Sequence, residues 1–367
     1  MAIEELLPLY EYPCLRLMGS RPTMKNGVRI LDEDLRLQDE DSDSDRVGMP
    51  VFTRVVPYLD GYSMESYYII KASIYLLMTT IGVVGNTLIL LTFALIVYQE
   101  HQLAKSETVL SHLAAANVIV YLTRTLPAVF HDYGWKDHFG DASCKVVSYV
   151  FRVFRGMAIG LTCLLSCFQC AILSTTNMAD KQMVHYSVNP VIAGLYLANM
   201  AINSDVVLMA TRPHNASHLK YVFNPGFCLI IYPDKRTFEA TGYVDVAFNL
   251  IFVILMALAS ARMLLILHKH NKTMKTIRNE DQNRGHRADQ KAAKTVIVLV
   301  SFYVSFYGID NTIKLSQTIL NELNVMVSDI RVFFTMCYGA VFPVILSISN
   351  TKINSIIRQI FQVNQQQ

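Results

Sequence analysis

A chain of 367 residues in which 52% are hydrophobic and only 17% charged falls well short of the about 25% charge carried by water-soluble domains. The shortfall is concentrated in apolar runs longer than the about 20 residues that take a helix across a bilayer, which excludes a simple soluble fold. A formal net charge of +3, with no basic run interleaved with aromatics, excludes nucleic acid as a partner.

The chain opens on MAIEELLPLYEYPC, with acids where a signal peptide needs a cationic region and then an uninterrupted apolar one. The first membrane span is therefore expected to do the targeting. Residues 32–45, DEDLRLQDEDSDSD, hold eight acids against Arg36 and show no apolar periodicity. Residues 1–66 read as an extracellular, mostly disordered acidic tail.

Seven long apolar runs follow, over about residues 67–98, 107–131, 145–173, 187–210, 240–267, 292–315 and 331–349. They predict an all-α membrane protein, a seven-transmembrane helix bundle over residues 67–351. The third and sixth runs carry Arg152, Arg155 and Asp310 and are read from their apolar remainder. Between the fifth and sixth, Lys269, Lys272, Lys275, Arg278, Arg284, Arg287, Lys291 and Lys294 form the densest basic stretch of the chain. Positive loops stay cytoplasmic, so the amino terminus is expected outside the plasma membrane and the carboxyl terminus inside. Beyond the seventh run, Ile353, Ile356, Ile357, Ile360 and Phe361 fall at helical spacing beside Lys352 and Arg358. Residues 352–367 are expected to be a short cytoplasmic tail whose amphipathic helix lies on membrane lipid.

In this orientation Cys144 and Cys228 both lie outside, where the oxidising compartment favours pairing them. Asn215-Ala216-Ser217 shares that outer loop and reads as a glycan acceptor at Asn215. Asn271-Lys272-Thr273 falls in the basic inner loop and does not. Cys163, Cys167 and Cys170 recur at helical spacing in the third run, but no His or carboxylate of that run joins them. They read as small packing residues, and no metal or cofactor is expected.

Intramembrane charges are the informative residues, because each is costly and so marks a functional hypothesis. At 1.5 Å per residue, Arg152 and Arg155 lie about 12–17 Å below Cys144, while Arg124, Asp205 and Asp310 each lie about 25 Å above the inner ends of their helices. With Asp245 near the outer end of the fifth run, all six converge on the outer half. They predict a partly hydrated cavity opening outward, in which three Arg and three Asp neutralise one another or a ligand. Internal ion pairing is the plainer alternative, and Asp310 with Lys314 at four-residue spacing is one candidate pair. Tyr303 and Tyr307, with Phe302 and Phe306, sit just below Asp310, and Tyr149, Phe151 and Phe154 surround the two Arg. Apolar and aromatic walls with a few convergent charges describe a small-molecule site.

Seven spans, the Cys144 to Cys228 pairing and the Gly85-Asn86 pair resemble the rhodopsin-like G-protein-coupled receptors. The stretches HLAAANVIV (112–120), RGMAIGLTCLLSCFQCAILS (155–174), KAAKTVIVLVSFYVSFYGID (291–310) and AVFPVILSISNTKI (340–353) are similar to the vomeronasal type-1 receptors and the related class A olfactory receptors. That resemblance covers about residues 67–360. The chain departs from the wider superfamily at its activation motifs. Phe168-Gln169-Cys170 stands where Asp-Arg-Tyr is usual, and Asn117 stands where an Asp usually binds sodium. The sixth span lacks the usual Trp and Pro, and the seventh has Phe342-Pro343 without Asn-Pro.

The resemblance implies a chemosensory receptor that binds a small odorant or pheromone and activates a heterotrimeric G protein, expected to be of the inhibitory class. The candidate ligand-binding residues are Arg124, Arg152, Arg155, Asp205, Asp245, Tyr303, Tyr307 and Asp310. Three Arg at least as central as the three Asp favour an anionic ligand, with Arg155 as the first choice. Gln169, Arg262, Lys291 and Lys294 are the candidate residues facing the G protein, with simple topogenic charge as the other reading of the basic loop. A transporter is the main rival, opposed by the absence of inverted halves and of Gly- or Pro-broken short helices. A bitter-taste-like or peptide receptor is the nearer alternative. No HExxH, GxSxG or Gly-rich phosphate loop supports an enzyme.

Overall fold

The computed structural model describes residues 57–133, 140–174, 188–212, 221–223, 227–274, 283–320 and 325–363. Among them are seven helices long and apolar enough to cross a membrane. These are carried by α1 (Pro57–Glu100), α2 (Lys105–Asp132), α3 (Asp141–Ser174), α4 (Asn189–Met209), α5 (Lys235–Met274), α6 (Asn283–Leu320) and α7 (Val325–Ser349). A shorter helix, α8 (Thr351–Val363), follows. Helices are the natural outcome, since hydrocarbon offers no partner to a backbone amide and an α-helix satisfies its own. Large side chains such as Leu77, Leu197, Leu258, Leu265 and Ile348 remain exposed on the bundle, as a lipid-facing surface requires. α1 starts at Pro57, inside the stretch read as tail, where the fixed φ of proline suits a first helical turn. Residues 1–56, the candidate glycan acceptor Asn215, and Lys275 and Arg278 of the basic stretch lie outside the described residues, as do the side chains of Lys272, Arg284, Arg287 and Lys291.

α3 is the axis of the bundle: 67% of its span is buried, against 17% for α5. Its buried residues include Gly156, Ala158, Gly160 and Ser166, small enough to let neighbouring helices approach. A Cβ at Gly156 would collide with the Asn199 amide of α4, and one at Gly160 would meet the Leu195 side chain at 3.0 Å.

α2 is broken by a π-helical turn over Tyr121–Thr125, followed at once by Pro127. The wide turn absorbs the disruption that proline brings to the hydrogen-bond ladder. It also turns Tyr121, Arg124 and Thr125 inward together, and all three are buried. The Tyr121 hydroxyl donates to the Met336 carbonyl of α7, while its ring lies where a Cβ at Gly82 of α1 or Gly339 of α7 would stand. One level further along, Asn117 donates to Asn86 Oδ1 at 3.2 Å, and Asn86 donates to the Gly339 carbonyl at 2.9 Å. Gly85 leaves room for Pro343 within α7. Three helices are thus joined through notches cut by glycine.

One end of the bundle is covered by a three-stranded antiparallel sheet of order β1-β3-β2, formed by β1 (Ala210–Thr211), β2 (Val222–Phe223) and β3 (Leu229–Ile231). The Cys144–Cys228 disulfide anchors β3 to the start of α3. Cys228, Leu229 and Ile230 are buried, so this connection is tucked into the bundle mouth. At the opposite end, α8 buries Ile353 and Ile356, and Lys352 pairs with Glu100 at 2.8 Å and Glu107 at 3.6 Å. The hydrogen bond to Glu100, with both carboxylates close by, raises the Lys352 pKa above that of an ordinary lysine. The side chains of Ile360 and Phe361 lie outside the described residues.

Substituting Gly82 by Ala should place a methyl group against the fixed Tyr121 ring and cost about 1–3 kcal/mol. Thermal unfolding of the detergent-solubilised protein measures this loss, and combining the change with Tyr121→Leu should recover part of it.

Candidate ligand-binding site

A cavity of about 100 Å³ lies in the half of the bundle nearest the disulfide. One water needs roughly 10–15 Å³ by the same measure, so there is room for a cluster of waters or a small organic molecule. Its walls come from six of the seven spans. Thr123 and Arg124 belong to α2, Phe151, Arg152, Arg155 and Gly156 to α3, and Asn199 and Asn203 to α4. Thr241, Asp245 and Asn249 belong to α5, Asp310, Lys314 and Gln317 to α6, and Arg331, Thr335 and Met336 to α7. Phe227, Ile230 and Tyr232, held by the disulfide-anchored connection, form the roof.

The charges are organised as interhelical pairs. Asp310, 1% exposed, is shared between two guanidinium groups. Arg155 Nη2 donates to its Oδ2, and Arg331 Nε donates to its Oδ1 at 2.9 Å. Arg331 Nη1 also donates to Gln317 Oε1 at 3.0 Å. Across the cavity Lys314 pairs with Asp245, whose Oδ1 accepts from Asn249 at 3.1 Å. Nearer the roof, Arg152 lies 4.0 Å from Asp205 and donates to the Tyr232 hydroxyl at 3.2 Å. Arg124 is placed between two rings, 5.7 Å from the Phe151 centroid and 5.6 Å from that of Phe227, a cation–π arrangement suited to a desolvated guanidinium.

A second group adjoins this wall where α1, α2 and α7 meet. Lys71 bridges Asp132 at 2.9 Å and Asp329 at 3.3 Å. Tyr67 donates to Asp329 Oδ2 at 3.0 Å, and Tyr75 to the Asp329 carbonyl at 2.8 Å. Below the cavity runs a column of rings. Arg155 stands 5.5 Å from the Tyr307 centroid, Tyr307 stacks on Tyr303 at 4.2 Å, and Tyr303 meets Tyr338 edge-on at 4.6 Å. Tyr338 in turn shares a 3.1 Å hydrogen bond with Thr162 of α3.

Five of the eight residues expected to bind ligand, Arg124, Arg152, Arg155, Asp245 and Asp310, line the cavity. Asp205 reaches it only through Arg152. Tyr303 and Tyr307 do not line it but are its packed floor. The proposed Asp310–Lys314 pair does not form: the packing of α3 and α7 against α6 presents Asp310 to Arg155 and Arg331, leaving Lys314 to Asp245 of α5. Phe302 is exposed, and the half-buried Tyr149 donates to the Met200 carbonyl at 3.2 Å, so neither lines the cavity. The residue that the sequence reading missed is Arg331. It falls on the first position of the seventh apolar run and so looks like a flanking charge, whereas α7 begins at Val325 and carries it well inside the helix.

The model of the vomeronasal organ pheromone receptor family matches residues 69–359. The chain belongs to that family. It is 30% identical over 296 residues to olfactory receptor class A-like protein 1 of Danio rerio, covering 80% of this chain and 93% of that protein. It is 25% identical over 285 residues to vomeronasal type-1 receptor 1 of Homo sapiens, covering 76% of this chain and 80% of that one. Vomeronasal type-1 receptor 52 of Mus musculus is 23% identical over 291 residues, with 77% and 92% covered. The protein is therefore a multi-pass membrane receptor and not an enzyme.

At the end away from the cavity, Gln169 is buried within α3, whereas Arg262 and Lys294 are exposed. The Lys291 side chain lies outside the described residues. Among the described residues no group of three His, Cys, Asp or Glu is placed to hold a metal.

Breaking the Asp245–Lys314 pair from one side should leave a buried uncompensated charge and cost about 3–5 kcal/mol. Asp245→Asn and Lys314→Met should each lower the melting temperature of the purified receptor, and the double variant should restore most of the loss. A double variant as unstable as the sum of the singles would show that the two side chains act separately.

Proposed function

We propose that this receptor sits in the plasma membrane with its amino terminus outside, binds a small anionic odorant or pheromone in the cavity under the disulfide, and activates a heterotrimeric G protein of the inhibitory class. The observation that carries the ligand class is the balance of charge at the cavity. Arg124, Arg152, Arg155, Lys314 and Arg331 line it together with only Asp245 and Asp310, and adding Asp205 still leaves an excess of two cations. Such a concentration of guanidinium groups favours carboxylate-like ligands, whose planar oxygens match the guanidinium fork.

Only differential affinity moves a two-state bundle. Moving it from 1:99 to 99:1 takes about 5.5 kcal/mol, whereas one charge-assisted hydrogen bond supplies about 1.5–3. Apolar burial against Phe151, Phe227, Val332 and Met336 supplies the remainder in this reading. On the inner side, the exposed Arg262 and Lys294, with Lys291 of the same basic stretch, provide the first contacts to the G protein. Gln169 meets it only once the helices part. In this reading α8 lies along the inner leaflet with Ile353, Ile356 and Ile357 turned to the bundle.

The test is G-protein-dependent signalling in cells whose surface receptor is verified, challenged with matched small acids, amines and neutral steroids. Responses should be confined to acids. They should be lost in Arg155→Gln, which leaves Asp310 paired with Arg331 and so no carboxylate uncompensated. An acid response that persists unchanged in that variant would sink the anionic-ligand reading, as would responses only to amines.

A further inference from the structure

Resting on the anionic-ligand reading, we infer that Asp310 is an internal occupant of the ligand's anion seat: the ligand's acidic group binds by taking the place of Asp310 on Arg155 and Arg331, and that exchange is the switch. The geometry singles out this carboxylate from the others. Asp245 faces one ammonium group and a side-chain amide, and Asp205 lies 4.0 Å from a single guanidinium. Asp310 alone among the described residues is held by two guanidinium groups from two other helices, α3 and α7. All three side chains line the cavity, so an anion in the cavity reaches the same two groups.

Exchange explains selectivity as well as movement. A neutral or cationic molecule that displaced Asp310 would leave two buried guanidinium groups uncompensated, which is the costly way to break a buried pair. A carboxylate or sulfonate replaces like with like, so the guanidinium pair keeps its charge balance while α6 loses its tie to α3 and α7. The released Asp310 lies four residues from Lys314, at the helical spacing that lets it share that ammonium group with Asp245. The ligand therefore competes with a tethered carboxylate, and its apparent affinity is set by how firmly Asp310 is held. Because Arg155 also covers the ring of Tyr307, any shift of α6 at this level is felt first by the stacked tyrosines beneath.

The experiment compares wild-type receptor with Asp310→Asn, normalised to surface receptor, and reads basal signalling and the dose response to small acids. Removal of the internal competitor should raise basal signalling several-fold and move the acid curve to lower concentration by about tenfold or more, the equivalent of one charge-assisted hydrogen bond. A curve moved to higher concentration would make Asp310 a group that merely orients the arginines and would overturn the inference. So would a quiet baseline with an unmoved curve. If Asp310→Asn does not reach the surface, the double variant Arg155→Gln, Asp310→Asn retains the test, because a broken tie raises its basal signalling without any ligand and a quiet double variant overturns the proposal. Basal signalling is independent of ligand chemistry. A wild-type receptor at the surface that ignores all acids would thus overturn the anionic-ligand reading itself, separately from the state of the tie.

Discussion

A guanidinium at the middle of a bilayer costs about 2.5–3.5 kcal/mol even on insertion scales, and this bundle carries several, so each must be compensated by a group from another helix. Arg155 and Asp310 join α3 to α6, Asp310 and Arg331 join α6 to α7, Lys314 and Asp245 join α6 to α5, and Lys71 joins α1 to both α2 and α7. Such pairs are directional and break discretely. The half of the bundle away from the disulfide is held differently, by an apolar core that includes Ile89, Phe93, Leu113, Ile159, Leu299 and Phe342. Close packing of this kind transmits displacement between neighbouring helices. The molecule is therefore asymmetric: held by charge pairs at the cavity and by side-chain packing at the end where a G protein is proposed to dock.

Between the two halves stands the tyrosine column. Tyr307, Tyr303 and Tyr338 are stacked and edge-on neighbours, and Phe342 continues the line from Tyr338 at 6.3 Å. Aromatic pairs add about 0.5–1.5 kcal/mol beyond area burial and prefer a few relative orientations. That gives α6 and α7 distinct ways to pack rather than a continuum. It also occupies the region where the wider superfamily places a tryptophan and a proline. Tyr303 and Tyr307, read as ligand contacts, thus lie beneath the cavity and not on its wall.

The fold was legible because hydropathy over twenty or more residues has one physical outcome in lipid. The charged wall was legible for the same reason: Arg124, Arg152, Arg155, Asp245 and Asp310 are conspicuous in apolar runs. Who pairs with whom was not. Spacing along one helix offered Lys314 to Asp310, yet the rotations and depths of α3, α5 and α7 decided otherwise, and those are properties of packing between segments distant in sequence. Arg331 was hidden because hydropathy fades gradually at a helix end, so a charge near the boundary looks like a flank. The π turn at Tyr121–Thr125 leaves only Pro127 as its trace in the sequence, which signals a disruption without saying that it turns Arg124 inward.

The positions of the prolines bear on how such a bundle can move. α6 runs from Asn283 to Leu320 with no proline, whereas α2 is interrupted beside Pro127 and α7 contains Pro343 seated in the Gly85 notch. A helix without a proline transmits displacement as a rod, since its hydrogen-bond ladder is intact. Asp310 lies about 10 Å along the axis from Tyr303, and Ala293 about 15 Å beyond it on the other side. With the packed tyrosines as pivot, a lateral step at Asp310 is delivered somewhat enlarged, and in the opposite direction, near Lys294. In the proposed mechanism α6 is the lever, the tyrosine column its fulcrum, and the broken helices α2 and α7 yield around it. That division of labour follows from where this sequence places its prolines and requires neither a proline kink in α6 nor an ionic contact at Phe168-Gln169-Cys170.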